Sequence, residues 1–215
     1  MCFLCGMDVT AWLVDAACGT RPMMRRREHI IPRAEGAVLE IGAGGGRNFR
    51  FYDRTRVSSV LALDPSAEMI GRARRRAPAD LPVAFLKAPA ECADLPAASF
   101  DTIVSTFTVC TIPDPVAALA GLRPALRRGG RLLFCEHGLA PDPAVRRRQR
   151  VLEPVWRRLA GGCRLTRDIP AILDAAGWRL ISLEQRYVRG APRFAGYMSW
   201  GEAQVAEVRP PSRGT

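Results

Sequence analysis

Short apolar runs alternate with amphipathic stretches through the middle of the chain. Apolar strands are predicted at residues 37–41, 59–63, 83–86, 100–105 and 131–135. The segments 66–76 and 115–126 between them have the apolar spacing of helices. Strands that alternate with helices of about ten residues pair in parallel, and continuous apolar strands suit a sheet that is buried on both faces. The pattern therefore predicts an α/β fold.

The amino-terminal region has a helical pattern instead. Apolar residues at helical spacing predict one amphipathic helix from residue 7, a break at Gly19 and Pro22, and a second helical piece that continues to Ile31. A turn at residues 32–36 then leads into the first strand. We expect residues 1–35 to form a helical cap on the α/β domain.

The alternating pattern also changes after His137. An arginine-rich helix is predicted at 144–159 with an interruption near Pro154, and a second helix at 166–176 with Thr166 or Asp168 as its cap and Gly177 as its end. Two strands joined by a turn then form an antiparallel hairpin over residues 178–188 and 194–200. The prediction is one domain over residues 36–205, a helical insertion at about 140–176 and a disordered tail at 206–215.

Composition and charge narrow the classes of partner. The 215 residues are 48% hydrophobic and carry a formal net charge of +11, almost entirely from arginine, because Lys87 is the only lysine. The basic residues occur in short runs at 25–27, 72–76 and 146–150, which we interpret as solvated helix faces. No aromatic residues alternate with them as in single-strand nucleic-acid binders, so we expect no nucleic-acid partner and only weak contact with a membrane surface.

The seven cysteines indicate a reducing environment. Their number is odd and the sequence shows no export signal, so free thiols in a cytoplasmic protein are the simplest interpretation. Cys2 and Cys5 form an isolated C-x-x-C pair without a second pair at zinc-site spacing, and we therefore expect no metal site. No apolar stretch approaches the roughly 20 residues that a transmembrane helix needs.

The most informative motif is the glycine turn at 42–46 after the first strand. Glycines there allow the backbone to turn sharply and to approach a ligand. The motif is not that of a dinucleotide site, because Arg47 occupies the position of its third glycine, and it instead fits E-x-G-x-G-x-G beginning at Glu40. Asp64 ends the second strand, 22 residues after Gly42, where a carboxylate can accept both ribose hydroxyls of an adenosine. The structural alternatives are that Glu40 pairs with an arginine and that Asp64 only shapes a turn.

These motifs resemble those of the class I S-adenosylmethionine-dependent methyltransferases of the ubiquinone/menaquinone type. The resemblance covers about residues 36–137 and rests on the stretches 38–44 (VLEIGAG), 63–66 (LDPS), 90–91 (AE), 99–101 (SFD) and 126–132 (LRRGGRL). It implies a Rossmann-like seven-stranded sheet in the order 3-2-1-4-5-7-6, with strand 7 antiparallel, flanked by helices. The chain departs from the family at position 89, where it has Pro89 and such proteins often carry aspartate.

The resemblance also implies which residues hold S-adenosyl-L-methionine. Glu40 provides an acidic surrounding for the sulfonium and amino groups, Asp64 binds the ribose, and Glu91 lies beside the adenine. The full set of expected cofactor-binding residues is Glu40, Gly42, Ala43, Gly44, Gly46, Asn48, Asp64, Pro65, Ala90, Glu91 and Thr106.

A narrower resemblance extends toward the carboxyl end. The stretches 48–52 (NFRFY), 108–112 (TVCTI), 135–137 (CEH), 152–156 (LEPVW) and 162–167 (GCRLTR) are similar to those of the methyltransferase-like alkyl thiol methyltransferases and of bacterial relatives with unassigned substrates. The animal enzymes carry an amino-terminal membrane anchor, and we expect none in this chain. The resemblance implies a small-molecule acceptor, with a thiol as the first hypothesis.

Few residues offer acid–base chemistry for the acceptor. Of the two histidines, His137 follows the fifth strand at the ligand-binding edge and is the candidate base, whereas His29 beside three arginines is expected at the surface. Cys110 and Thr111 are expected to face the transferred methyl group, although buried cysteines usually serve as small core residues. The alternatives are N- or O-methylation of a small metabolite or phospholipid head group, a noncatalytic adenosyl- or nucleic-acid-binding module, and a dinucleotide oxidoreductase.

Overall fold

The computed structural model describes residues 9–206, with seven strands and six α-helices in that range. The helices are α1 (Val9–Cys18), α2 (Arg21–Ile30), α3 (Ala67–Arg76), α4 (Pro115–Leu122), α5 (Pro143–Leu159) and α6 (Ile169–Ala175). The strands are β1 (Gly36–Ile41), β2 (Val57–Leu63), β3 (Val83–Leu86), β4 (Phe100–Thr106), β5 (Leu126–His137), β6 (Trp178–Tyr187) and β7 (Tyr197–Val205). The predicted disordered tail lies outside the described residues except for its first position.

The strands form one sheet in the order β3-β2-β1-β4-β5-β7-β6. The first five strands pair in parallel, and β7 runs antiparallel to both β5 and β6. This arrangement confirms the predicted Rossmann-like sheet. Because β1 and β4 are neighbours although β2 and β3 intervene in sequence, the strand order reverses between them, and this reversal opens a crevice at the carboxyl ends of the strands.

The sheet is buried on both faces, as its apolar strands predict. Along β1, Val38 belongs to one apolar cluster, together with residues of β2, α3 and β5, whereas Leu39 belongs to the cluster on the opposite face with α4 and α6. Trp178 anchors that second cluster and donates its indole N–H to the Leu119 carbonyl at 3.0 Å. Glu40 is fully buried between these apolar positions, and it therefore requires polar partners.

Several boundaries differ from the sequence prediction. Helix α4 ends at Leu122 rather than at residue 126, and a 3₁₀ turn that contains Pro124 leads directly into β5 at Leu126. Helix α5 continues through Pro154, because the carbonyl that the proline leaves without a donor belongs to the solvent-exposed Arg150. Asp168, not Thr166, caps α6 by accepting a hydrogen bond from the Ala171 N–H at 3.3 Å. The hairpin turn is longer than predicted, so that β7 runs over Tyr197–Val205.

The terminal helices are placed beside the sheet edge. Helix α2 contacts β5, and α1 reaches the carboxyl ends of the first strands, where residues of both helices line a cavity. The insertion after β5 consists of α5 and α6, with α6 packed on β6 and α4. Among the described helices, none has the length and apolar character that crossing a membrane requires.

Candidate active site

The loop after β1 forms the floor of the site. Gly42 has φ +58°, and a Cβ there would lie 2.3 Å from the Thr108 side chain, so only glycine allows the two loops to approach so closely. The Gly44 N–H donates a hydrogen bond of 2.8 Å to a carboxylate oxygen of Asp64. The glycine turn therefore fits against the β4 loop on one side and fixes the acid of β2 on the other.

Asp64 is held by backbone donors at the end of β2. Its Oδ2 accepts from the Gly44 N–H and its Oδ1 accepts from the Ser66 N–H, both at 2.8 Å. Burial raises the pKa of this carboxyl, and the two backbone hydrogen bonds oppose that shift. Each oxygen keeps a further lone pair, and Asp64 lines the adjacent cavity. It can therefore accept hydrogen bonds from two ligand hydroxyls.

A cavity of about 480 Å³ opens at the carboxyl ends of β1, β2 and β4. This volume lies within the range of roughly 300–1,000 Å³ that is usual for small-molecule sites. Of the residues predicted to bind the cofactor, eight line it: Gly42, Ala43, Gly44, Asp64, Pro65, Ala90, Glu91 and Thr106. Gly46, which belongs to the glycine turn, and Glu40 and Asn48, which lie beneath it, are not among its lining residues. The amino-terminal helices cover the cavity through Val14, Asp15, Cys18 and Arg27.

A buried polar network supports the floor of this cavity. The Asn48 amide donates to Glu40 Oε1 and to Thr106 Oγ1, both at 3.0 Å. The Tyr52 hydroxyl donates to Glu40 Oε2 at 2.7 Å. Burial raises the pKa of Glu40 to about 7, although Tyr52, Arg27 and Asn48 all favour its charged form. Glu40 thus acts below the turn and supplies negative potential to the site without lining it.

Arg27 is the main site residue that sequence reasoning missed. Its run of three arginines was predicted to be a solvated helix face, but Arg27 is only 6% exposed and lines the cavity. Its guanidinium donates to Asn48 Oδ1 at 2.7 Å and to Thr106 Oγ1 at 2.5 Å, and it lies 4.9 Å from the centre of the Phe107 ring. Its buried Nε has no hydrogen-bond partner among the described residues, and the guanidinium places a positive charge beside the cavity. The one feature that would have indicated a buried role is that Arg27 falls on the side of α2 that faces the protein interior.

Two members of the arginine run at 72–76 pair with a buried carboxylate, although Arg74, Arg75 and Arg76 are exposed, as that prediction expected. Asp15 of α1 is almost fully buried and accepts two hydrogen bonds each from Arg47 and Arg76. Burial raises the pKa of Asp15, whereas these two arginines lower it. The net shift of the pKa is downward. Arginines of the glycine loop and of α3 therefore attach α1 over the cavity, because a buried carboxylate needs cationic partners.

His137 lies behind the cavity wall, beside two cysteines. Its Nε2 is 3.6 Å from Cys110 Sγ and 3.4 Å from Cys163 Sγ, and its ring centre is 6.1 Å from that of Phe107, which lines the cavity. His137 itself is not among the lining residues, whereas Thr111 is. The side chain of the candidate base is therefore held by sulfur atoms. As expected, His29 is at the surface, where it faces Glu184.

Glu136 connects this region with the β4 loop. It is fully buried, and its Oε1 accepts hydrogen bonds from Ser105 Oγ at 2.7 Å and from the Thr108 N–H at 3.1 Å. Burial raises the pKa of this carboxyl. Because Thr108 also contacts the glycine turn, Glu136 fixes the β4 loop, which lines the cavity through Thr108 and Thr111 and contacts His137 through Cys110.

Comparisons with known proteins agree with this geometry. Residues 39–134 match a family model described as a methyltransferase domain. The chain is 32% identical over 155 residues to human thiol S-methyltransferase TMT1B, covering 70% of this chain and 63% of that protein. It is 34% identical over 119 residues to the phosphatidylethanolamine N-methyltransferase of Cereibacter sphaeroides, covering 54% and 57%. The chain thus spans less than two thirds of the length of either relative.

A solved structure shows the same fold. An S-adenosylmethionine-dependent methyltransferase of Mesorhizobium loti superposes with a TM-score of 0.64 at 21% identity, over 85% of this chain and 95% of that one. Together with the sequence matches, this confirms the predicted methyltransferase domain and supports S-adenosyl-L-methionine as its cofactor.

Proposed function

We propose that this chain, which its sequence and fold identify as a class I S-adenosylmethionine-dependent methyltransferase, transfers the methyl group of that cofactor to a small-molecule thiol. One observation carries the proposal. The cavity offers a carboxylate suited to a nucleoside ribose, yet its described lining residues include no histidine that would act as a free base. A thiol, with an ordinary pKa near ~8.5, is the common acceptor that least needs such a base.

The residues present fit the cofactor. Asp64 has backbone donors on one side of each oxygen and lone pairs left for the two ribose hydroxyls. Arg27 lines the cavity with a positively charged guanidinium that suits the carboxylate of a methionine moiety. From beneath the turn, the ionised form of the buried Glu40, whose pKa burial raises to about 7, would supply negative potential for a cationic sulfonium.

The cofactor, when bound, supplies an electrophilic methyl group that an acceptor displaces in line. The protein contributes alignment and exclusion of water. The β4 loop, fixed by Glu136, positions Phe107, Thr108 and Thr111 along the cavity. Helix α1, attached through Asp15, covers it. His137, the candidate base predicted from the sequence, does not line the cavity, and its ring contacts two cysteine sulfurs.

The relatives support a thiol without excluding other acceptors. TMT1B is named for thiol S-methylation, whereas the Cereibacter relative is named for N-methylation of a phospholipid. N- or O-methylation of a small metabolite or phospholipid head group is the second candidate. It is favoured by the exposed apolar side chains of α5, Val151, Val155 and Leu159, among arginines that an anionic lipid surface would attract. The described cysteines are free thiols, which supports the proposal of a reducing, cytoplasmic compartment.

Two measurements test the proposal. We expect radiolabelled methyl transfer to alkyl thiols, and little transfer to phenols, amines or phosphatidylethanolamine vesicles. Turnover of the amine, phenol or lipid without any thiol product would refute the thiol assignment. Cofactor binding without turnover of any acceptor would instead favour a noncatalytic adenosyl-binding module.

The cofactor site is tested by Asp64→Ala with Asp53→Ala as its matched control. Both aspartates accept a hydrogen bond from the backbone N–H two residues later, at 2.8 Å and 2.9 Å, but only Asp64 lines the cavity. Loss of two charge-assisted hydrogen bonds, each worth roughly 1.5–3 kcal/mol, is expected to weaken S-adenosylhomocysteine binding by at least about 100-fold in calorimetry. Unchanged affinity in folded Asp64→Ala would refute the ribose assignment.

A further inference from the structure

Three side chains that are far apart in sequence converge behind the cavity. Cys110 lies in the loop after β4, His137 ends β5, and Cys163 follows α5. One atom from each, the two sulfurs and a ring nitrogen, lies within 4.8 Å of the other two. Both cysteines are buried, at 1% and 4% exposure, and His137 is half-buried. Core packing of cysteines does not require an imidazole nitrogen to lie against both sulfurs.

The distances match those of a tetrahedral metal centre. With Zn–S near 2.3 Å and Zn–N near 2.0–2.1 Å, a tetrahedral angle separates sulfur from nitrogen by about 3.6 Å. His137 Nε2 is 3.6 Å from Cys110 Sγ and 3.4 Å from Cys163 Sγ. The two sulfur–nitrogen distances are therefore those of a tetrahedral centre, and the two sulfurs lie within 4.8 Å of each other. Cys163 Sγ is also 3.9 Å from Nδ1, so the His137 ring has to turn for Nε2 to face a metal held by both sulfurs. Among the described residues the group has three members, which leaves a fourth position without a protein ligand.

The backbone holds these ligands in place. The Arg164 N–H donates to the Cys110 carbonyl at 2.9 Å and joins the two cysteine loops directly. The Arg167 guanidinium donates to the Ile112 carbonyl at 2.7 Å and joins them a second time. His137 is fixed by its position at the end of a central strand. Such preorganisation is what a specific metal site needs.

We propose that Cys110, His137 and Cys163 bind a zinc ion through three protein ligands, with the fourth position available to a thiolate. Two sulfur ligands and one imidazole favour zinc over magnesium, calcium or manganese. Three protein ligands with an open position characterise catalytic rather than structural zinc sites. The isolated Cys2–Cys5 pair is not needed for this site.

The open position is assigned to the acceptor because of where the cluster lies. Thr111 and Gly161, one and two positions from Cys110 and Cys163 in sequence, both line the cavity, and so does Phe107, whose ring centre is 6.1 Å from that of His137. The cluster therefore lies next to the part of the cavity that the β4 loop lines, whereas Asp64 follows β2, two strands away in the sheet. This assignment, unlike metal binding itself, rests on the proposed thiol methylation.

In the proposed step, the methyl group passes from the cofactor to the sulfur that occupies the fourth position. An acceptor R–SH gives up its proton to buffer as its sulfur takes the fourth position on the metal. Its sulfur then forms the new S–CH₃ bond while the sulfonium C–S bond breaks, and that electron pair stays on the cofactor sulfur. The neutral thioether is a poor ligand for zinc and leaves. In this scheme His137 is a zinc ligand instead of a free base.

The metal site is tested in a Cys2→Ser/Cys5→Ser background, which removes the isolated C-x-x-C pair from the measurement. We expect the purified background protein to bind about one zinc per chain in competition with a chromophoric chelator. Cys163→Ser is expected to lower the affinity by more than about 100-fold, since changes to outer-shell partners alone cost 10–100-fold. Cys92→Ser, at an exposed free cysteine, is the matched control and should bind zinc as the background does.

Cobalt substitution keeps the test informative if a variant fails to fold. The background protein with Co²⁺ should show tetrahedral d–d bands and thiolate charge-transfer bands, and an added alkyl thiol should increase the charge-transfer intensity. Absence of metal binding in the background protein, or equal losses in Cys92→Ser and Cys163→Ser, would overturn the proposal.

The metal site and the proposed function fail separately. Thiol turnover by protein that binds no zinc would refute the metal site and leave the function standing. Zinc binding without thiol turnover would refute the assignment of the open position and leave metal binding standing. Calorimetry with S-adenosylhomocysteine reports the cofactor site independently of both.

Discussion

Replacing Glu40 by glutamine is expected to change how the stability of the protein depends on pH. Glu40 is fully buried, and its oxygens accept from the Tyr52 hydroxyl and the Asn48 amide. A glutamine keeps the shape and can satisfy both partners, since the tyrosine hydroxyl can accept as well as donate. The substitution therefore removes the titration of the carboxyl and leaves the packing of the site in place.

The magnitude follows from the raised pKa of Glu40. Burial shifts the pKa in the folded protein from 4.5 to about 7. Between these values the native state holds a proton that the unfolded chain has released, so the free energy of unfolding falls as pH rises. At roughly 1.4 kcal/mol per pH unit, this single group costs the parent about 3 kcal/mol by pH 8.

Urea denaturation of parent and Glu40→Gln at pH 4.5 and pH 8 measures this effect. Asp64 and Glu136, whose pKa values burial also raises, titrate in both proteins and cancel in the comparison. We expect the stability of Glu40→Gln relative to the parent to increase by about 3 kcal/mol between the two pH values. A difference that stays constant with pH would show that Glu40 titrates near its ordinary pKa, and the account of a buried, incompletely compensated carboxyl would be wrong.

Four further substitutions test the fold. Gly46→Ala places a Cβ 2.6 Å from the Phe49 ring at a residue with φ +75°, and it should lower the free energy of unfolding in urea by at least about 2 kcal/mol. Gly121→Ala is the control: its Cβ meets nothing within 4 Å, and it should raise the free energy of unfolding by about 0.5–1 kcal/mol. Trp178→Phe leaves a buried carbonyl of α4 without its donor and should cost about 1–3 kcal/mol in the same assay; no loss would contradict the hydrogen bond. Asp15→Asn should lower the free energy of unfolding at neutral pH. Because the pKa of Asp15 is lowered in the folded protein, the stability that its ion pairs contribute is present above pH 3.8 and is lost on acidification, so the difference from the parent should shrink as pH falls below about 4. A difference that is unchanged down to pH 2 would refute the ion-pair account.

The residues that we propose to bind the nucleoside could be predicted from the sequence, because each lies at the end of a single strand. The glycine turn and Asp64 each end a strand, and parallel strands bring their carboxyl ends to one edge of the sheet, so strand order alone places them together. The same reasoning did not distinguish residues that line the cavity from those beneath it. Glu40 and Asn48 share the motif with Gly42, but the direction of each side chain depends on the packing below the turn.

Sequence by itself determined an α/β fold with parallel strands, because the period of apolar residues and the length of the connections require each strand to be buried on both faces. The strand order was implied only by the resemblance to the methyltransferase family. Sequence also determined the cofactor class, since the turn and the carboxylate are fixed relative to single strands. Only the tertiary structure placed Arg27 beside the cavity and brought Cys110, His137 and Cys163 together. Successive residues of the cluster are separated by 27 and 26 positions. Contacts between residues so far apart depend on how whole helices and strands pack, and they therefore produce no periodic pattern in the sequence.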